Sequence, residues 1–167
     1  MSFRRWRIED LPSLAAVLGD PDVMRFSDHG PLSQQEQKAW LAARVNDASK
    51  PNPLGSYAIT DISTDTVLGY VSLNDDPNRI APGEAEIGFR LAKAFWGNGF
   101  ATEATIAMVE AANDFEDIHR IIAIVDPNNL TSARVLQKLG MQFEREIMFD
   151  CYDYPDHLYA ISLSKMS

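Results

Sequence analysis

The stretch spanning residues 85–112 constrains the fold most, because its hydrophobic period changes halfway along. Residues 85–91 alternate between apolar side chains and polar or small ones, which is the period of two that predicts a half-buried β-strand. A glycine turn, Trp96-Gly97-Asn98-Gly99, ends this pattern. Apolar residues then recur every three or four positions, which predicts an amphipathic helix. The face predicted to be buried consists of Phe100, Ala104, Ala107, Met108, Ala111 and Phe115.

A strand, a glycine turn and a helix start, in this order, predict an anion-binding site. The first N–H groups of a helix lack acceptors within the helix, and the helix dipole places partial positive charge there. Gly97 and Gly99 have no Cβ, so the chain can turn sharply and a phosphate can approach the backbone. Glycines also occur in plain loops. The anion site is therefore favoured by the flanking strand and helix more than by the glycines alone.

Residues 96–104 resemble the acetyl-CoA pyrophosphate loop of the GNAT superfamily of N-acetyltransferases. The family pattern "Gln/Arg-x-x-Gly-x-Gly/Ala" would run from Trp96 to Ala101. Trp96 departs from the Gln or Arg of the first position, as is usual in the branch that acetylates the N-termini of ribosomal proteins. The resemblance thus points to that branch.

A second stretch, NLTSARVLQKLGM at residues 129–141, resembles the GNAT pattern "Asn-x-x-Ser/Ala-x-x-x-Leu/Tyr-x-Lys-x-Gly-Phe". Met141 replaces the final Phe, which is a modest hydrophobic exchange. The two motifs follow each other in the order and at the spacing that the family shows. Residues 7–11 and 69–73 match as well, so the resemblance covers nearly the whole chain.

The order of the other elements predicts a mixed α/β (α+β) domain over residues 1–167, with about seven strands and helices on both faces of one sheet. The resemblance implies a mixed, mostly antiparallel sheet in which strand 87–91 splays from strand 121–125. Asp10 is predicted to cap the first helix, and Ser33 with Glu36 forms a predicted capping box for the second. The predicted strands are 2–8, 56–62, 67–73, 85–91, 118–125, 142–149 and 158–163, with a loop at 150–156.

The resemblance implies acetyl-CoA as the acyl donor and no metal. Pantetheine would pair with the main chain of Phe89 and Leu91 in the gap between the splayed strands. Asn129 would either bond the pantetheine arm or cap its own helix, and capping is the commoner role. The residues implied in pyrophosphate binding are Gly97, Asn98, Gly99, Phe100, Ala101 and Thr102.

The implied reaction requires a neutral amine, whereas a free alkylamine is protonated near pH 7. Glu86 matches the proposed base of the ribosomal-protein acetyltransferases and would remove that proton; otherwise it is a solvated or ion-paired carboxylate. Glu84 is a poorer rival on the same strand face. Ser132 stands where that branch has a serine, and it would either donate a hydrogen bond to the thioester sulfur or serve only the helix start. Cys151, between acidic residues, is not expected to carry the acyl group.

The formal net charge of −9 argues against nucleic-acid binding, which needs a basic surface, and favours a cationic partner such as an amine or a basic peptide. No apolar run approaches the roughly 20 residues that would span a membrane. One cysteine cannot form an internal disulfide, which suits the cytoplasm. Whether the chain forms a homodimer stays open.

Together these features predict an N-acetyltransferase that moves an acetyl group from acetyl-CoA directly to a primary amine. The acceptor would be a protein or peptide N-terminus or a small amine. The alternative is a domain that binds acyl-CoA without turnover, as a sensor or interaction module. A dinucleotide-dependent oxidoreductase does not fit, because the glycine turn comes late and lacks the acidic ribose partner.

Overall fold

The structure is a computed structural model that describes residues 1–46, 50–77, 79–149 and 153–164. Cys151 and the first half of the predicted 150–156 loop lie outside the described residues. No helix in the described ranges is long and apolar enough to cross a membrane. The helices are α1 (Leu11–Leu18), α2 (Gln34–Asn46), α3 (Phe100–Asn113) and α4 (Leu130–Lys138). The strands are β1 (Ser2–Arg4), β2 (Gly55–Thr60), β3 (Val67–Asn74), β4 (Glu84–Leu91), β5 (Arg120–Val125), β6 (Gln142–Ile147) and β7 (Asp156–Ser162).

The seven strands that the described residues form make one open, mixed sheet in the order β1-β2-β3-β4-β5-β7-β6. Neighbouring strands are antiparallel except β4 and β5, which are parallel. The predicted fold class and strand number are therefore confirmed.

The sheet splits between β4 and β5. The two strands pair over only three positions, from Glu84 opposite Arg120 to Glu86 opposite Ile122. Both strands continue, to Leu91 and Val125, without pairing to each other beyond that point. A V-shaped gap thus opens between them, as the resemblance implied, and it leaves main-chain groups of β4 available along one edge.

Helices cover both faces of the sheet. On one face, Ala104 and Met108 of α3 and Leu136 of α4 pack against the central strands. On the other face, α1 and α2 pack around Trp6, with Leu14 and Leu41 almost fully buried. Ile80, in the loop before β4, closes a smaller cluster on this second face with Ile122 and Leu158.

The alternation predicted for β4 is confirmed. Ala85, Ile87 and Leu91 are buried in the α3 core, and Phe89 packs against it. The face predicted for α3 needs one correction, since Ala111 is exposed and Ala112 is fully buried. Because Ala111 and Ala112 are adjacent and identical, the hydrophobic period does not indicate which of the two faces the core.

Several predicted boundaries were wrong by a few residues. The first strand ends at Arg4, where its pairing with β2 stops, and a short 3-10 turn begins at Ile8. The last strand begins at Asp156, inside the predicted loop. Asp10 stands at the N-cap of α1 but does not cap it with its side chain. Its carboxylate instead accepts two hydrogen bonds of 2.8 Å from Arg4 and one of 2.8 Å from the Arg7 N–H.

An ion-paired arginine lies at the paired end of β4 and β5, two positions from the vertex of the V-shaped gap. The Arg120 guanidinium, on β5, donates to Glu84 of β4 through Nη1 and to Glu144 of β6 through Nη2. All three side chains are at least partly exposed to solvent. Arg120 therefore links three strands at the end of the sheet where β4 and β5 still pair.

Candidate active site

The turn before α3 requires its two glycines for their backbone conformation. Gly97 has φ 76° and Gly99 has φ 82°, both in the left-handed region that disfavours residues with a Cβ. A Cβ built on either glycine meets nothing within 4 Å, so space is open above both. A ligand can therefore approach the backbone of this turn closely.

The first turn of α3 presents main-chain donors to that space. Gly99 is the N-cap residue and has no side chain to satisfy them. The first intrahelical bond runs from the Glu103 N–H to the Gly99 carbonyl, at 3.0 Å. The N–H groups of Phe100, Ala101 and Thr102 precede it and have no acceptor within the helix. With the helix dipole, they form a cradle suited to a phosphate or pyrophosphate.

Side chains of the turn brace the cradle. The Asn98 amide donates to the carbonyls of Phe95 and Trp96, at 3.3 and 3.0 Å. The Trp96 indole N–H donates to the Leu91 carbonyl at 2.8 Å and ties the turn to the end of β4. Among the residues predicted to bind pyrophosphate, Asn98 therefore uses its side-chain amide for hydrogen bonds within the turn. The Leu91 carbonyl has one lone pair occupied and one remaining.

A groove of about 460 Å³ separates α3 from α4 beside the cradle. Gly99 and Thr102 of the cradle line it, and Lys138 is the cation among its described lining residues. A larger cleft of about 760 Å³ opens on another side of α3, against β1 and β2, and includes none of the predicted site residues.

The start of α4 lies beyond the carboxyl end of β5. Asn129 caps the helix, since its Oδ1 accepts a hydrogen bond of 3.2 Å from the Ser132 N–H. The capping prediction for Asn129 is therefore confirmed. The Ser132 side chain is half-buried in the first helical turn.

Glu86 lies on β4 at the last paired position before the gap, and its side chain points away from the α3 core. Burial raises the pKa of its carboxyl above the ordinary value of 4.5, the Arg79 guanidinium opposes this rise, and the Asp28 carboxylate adds to it. A carboxyl with a raised pKa is a stronger base, nearer to what proton removal from an amine requires.

Further acidic groups surround this face of the sheet. Burial raises the pKa of Asp156, at the start of β7, and the carboxylates of Asp126 and Asp28 add to the rise, while His157 lowers it. Asp28 therefore acts electrostatically on both Glu86 and Asp156. Sequence reasoning missed Asp28, Arg79 and Asp156, because they come from three separate segments and belong to no motif.

Comparisons with known proteins show the family of the chain. The family model described as "Acetyltransferase (GNAT) domain" matches residues 1–142. A protein of Bacillus licheniformis named "Uncharacterized N-acetyltransferase p20" is 30% identical over 146 residues, covering 86% of this chain and 80% of that protein.

Solved structures share the fold. A GNAT-family acetyltransferase from Bacillus anthracis has a TM-score of 0.83 at 22% identity, covering 96% of this chain and 93% of that one. Spermidine N-acetyltransferase from Vibrio cholerae, solved with CoA and spermine, has a TM-score of 0.78 at 17% identity, covering 98% and 96%.

The fold, with its sheet split between β4 and β5, and the amide cradle at the start of α3 define an acyltransferase. The chain belongs to the GNAT family of acetyltransferases and is an N-acetyltransferase.

Proposed function

We propose that this chain transfers an acetyl group from acetyl-CoA directly to a primary amine. The observation that carries the proposal is the amide cradle at the start of α3, which follows β4 at the side of the sheet where β4 and β5 diverge. Glu86 lies at the vertex of the same divergence. Donor binding and proton removal thus have separate residues on one strand–turn–helix unit.

The cradle fits a pyrophosphate because its free N–H groups and the positive end of the helix dipole both face the open space. The main chain of residues 97–102, Gly97 and Asn98 included, holds the diphosphate. Phe89 and Leu91 offer main-chain groups to pantetheine along the free edge of β4, in the manner of an added strand. Asn129 acts mainly through its cap, which fixes the start of α4 beside the gap.

Acetyl-CoA supplies a thioester, on which the amine nitrogen forms a C–N bond as the C–S bond breaks. Glu86, as the carboxylate, takes the proton that the amine loses, directly or through a water molecule. The Ser132 hydroxyl donates a hydrogen bond to the departing sulfur, whose conjugate acid has a pKa of roughly 8.5 if cysteine is the guide.

The acceptor we propose is a cationic amine: a protein or peptide N-terminus, as in the ribosomal-protein branch that the motifs resemble, or a small polyamine. The net charge of −9 and the carboxylate of Asp28, which acts on both Glu86 and Asp156, support a positively charged acceptor. One structural neighbour is named a spermidine N-acetyltransferase, which agrees with an acceptor of this charge.

The test is thiol release from acetyl-CoA with a panel of peptides and polyamines, using wild type, Glu86→Gln and Glu84→Gln. Glu84 is a matched control because it lies on the same strand face, two residues earlier, and pairs with Arg120. At saturating acetyl-CoA, we expect Glu86→Gln to lose about 10²- to 10⁴-fold in kcat and Glu84→Gln to lose far less. Tight acetyl-CoA binding by the wild type with no turnover on any amine would instead support the sensor alternative.

A further inference from the structure

Ser72 is a buried hydroxyl in a strand whose other buried positions are apolar or glycine. It is 8% exposed, and its neighbours Val71 and Leu73 are fully buried. Those neighbours face the α3 core, so Ser72 faces the other side of the sheet, the side that Glu86 also faces. A buried polar group is normally well hydrogen-bonded, because desolvation without a partner is costly.

The hydrogen bond that Ser72 makes in the structure is weak. Its hydroxyl donates to the Gly88 carbonyl, across the β3–β4 pair, at 3.5 Å. Typical O–H···O distances are about 2.7–2.8 Å, so the hydroxyl loses little on turning toward a ligand. Its oxygen lone pairs are also available, since a hydroxyl can donate one hydrogen bond and accept two.

Gly88 leaves a notch directly over this hydroxyl. A Cβ built on Gly88 would lie 3.1 Å from the Ser72 Oγ and would meet no other atom within 4 Å. The absent side chain therefore leaves free volume above the strand, with the hydroxyl at its edge. The backbone of Gly88 does not require glycine, because its φ is not positive.

The notch lies next to the base. Glu86 pairs with Asn74 and Gly88 pairs with Ser72, so the carboxylate and the hydroxyl occupy consecutive positions on one face of two paired strands. Such diagonal side chains on a sheet lie within reach of one small molecule bound between them.

We propose that Ser72 is an acceptor-binding residue: its Oγ accepts a hydrogen bond from the acceptor amine, which sits in the notch over Gly88 with its nitrogen between Ser72 and Glu86. This role rests on the proposed amine acetyltransferase activity. Ser72 holds one N–H, and Glu86 receives the proton that the nitrogen loses. The nitrogen lone pair is thereby oriented, which is the contribution of positioning to an attack of this kind.

The experiment compares steady-state kinetics of Ser72→Ala and Ser72→Thr with acetyl-CoA affinity measured by calorimetry. Ser72→Ala should raise the acceptor KM about tenfold, the equivalent of one hydrogen bond to a charged group, and leave the acetyl-CoA Kd unchanged. Ser72→Thr keeps the hydroxyl and should recover most of the acceptor affinity.

Ser56→Ala is the matched control. Ser56 lies opposite Ser72 on β2, on the same face, and its Oγ accepts a hydrogen bond of 3.0 Å from the Trp6 indole. This variant should lose thermal stability and keep the wild-type acceptor KM. A purely structural role for Ser72 would make the two serine variants behave alike.

Gly88→Ala fills the notch from the other strand. We expect it to raise the acceptor KM with little change in Tm, because alanine suits a strand better than glycine does and the Ser72 hydroxyl, 3.1 Å from the new Cβ, can rotate away. Wild-type acceptor KM in both Ser72→Ala and Gly88→Ala, with the wild type active, overturns the role of Ser72 alone. A wild type that binds acetyl-CoA and acetylates no amine overturns the proposed function and this role together.

Discussion

Glu86 is a residue whose proposed chemical role requires a charged form that folding destabilises. It lies on a strand whose other face is core, and burial holds its carboxyl pKa above the ordinary value. Its charged form is therefore disfavoured by folding, although the reaction needs that charged form. Arg79 lessens the penalty and Asp28 increases it. A buried carboxylate that lowers the stability of the folded state in this way is a good candidate for a functional role.

A stability prediction follows from the raised pKa of Glu86. The folded state binds this proton more tightly than the unfolded chain does, so the residue's contribution is greatest at low pH. That contribution is lost as pH rises from 4.5 through the raised pKa. We expect wild type to lose stability relative to Glu86→Gln over this window, measured as the difference in urea midpoints. Equal pH profiles for the two proteins would contradict the shifted pKa.

At the scale of elements, the strand–turn–helix unit depends on backbone conformation more than on side chains. β4 supplies the edge, the two left-handed glycines turn the chain, and α3 supplies the donors. The Trp96 indole N–H donates a hydrogen bond to the end of β4, and the Asn98 amide donates one to the Trp96 carbonyl within the turn. Coenzyme binding should therefore respond to changes in turn geometry.

Gly99→Ala tests this dependence. A left-handed alanine costs roughly 1–2 kcal/mol, and any relief of that strain moves the N–H donors of the cradle. Gly140→Ala is the matched control, because Gly140 has φ 83°, equivalent to the 82° of Gly99, but follows α4. We expect similar losses of unfolding free energy in urea and a weaker CoA Kd only in Gly99→Ala. Equal CoA affinities would show that the turn does not bind the coenzyme.

Replacing Arg120 tests whether the ion pairs near the vertex of the V-shaped gap affect acetyl-CoA binding. Arg120→Met removes the side-chain link between β4, β5 and β6 and leaves only the backbone pairing of β4 with β5 to hold the two sides of the gap. We expect the KM for acetyl-CoA to rise severalfold, with a stability loss of about 1 kcal/mol or less, as for other exposed ion pairs. Arg145→Met is the control, since Arg145 lies 3.9 Å from the same Glu144 without reaching β4. Matching kinetics in the two variants would exclude the vertex role.

At the scale of the whole molecule, the acidic charge should govern how acceptors arrive. A net charge of −9 attracts cations over distances set by the Debye length. Coenzyme A, itself a polyanion, must bind through the local positive potential of the α3 start and not through the overall field. The two substrates therefore depend on charge in opposite ways.

Raising the ionic strength from about 0.01 M to about 0.15 M shortens the Debye length from about 30 Å to about 8 Å. We expect kcat/KM to fall severalfold for a polyamine acceptor and much less for a monoamine with an uncharged tail. The comparison uses initial rates at saturating acetyl-CoA. A salt response that is the same for both acceptors would remove long-range attraction as a factor.

What the sequence alone determined is local. Alternation in β4, the glycine turn, the Asn129 cap and the Ser33–Glu36 capping box were all predicted and are present in the fold. Each depends on residues within a few positions of one another, where periodicity and backbone preference act directly. The two motif resemblances added a prediction for the whole sheet: mixed, mostly antiparallel and splayed in the middle.

Only the tertiary structure decided which distant groups meet. It brings the charges of Asp28 and Arg79 close enough to act on Glu86. It pairs Asp10 with Arg4 where a helix cap was predicted. It also places the Ser72 hydroxyl beside Gly88. These relations depend on strand register and on loop paths, and a single sequence carries no local signal for either. Pairing across a sheet is a property of two segments at once, so it becomes visible only when both have been placed.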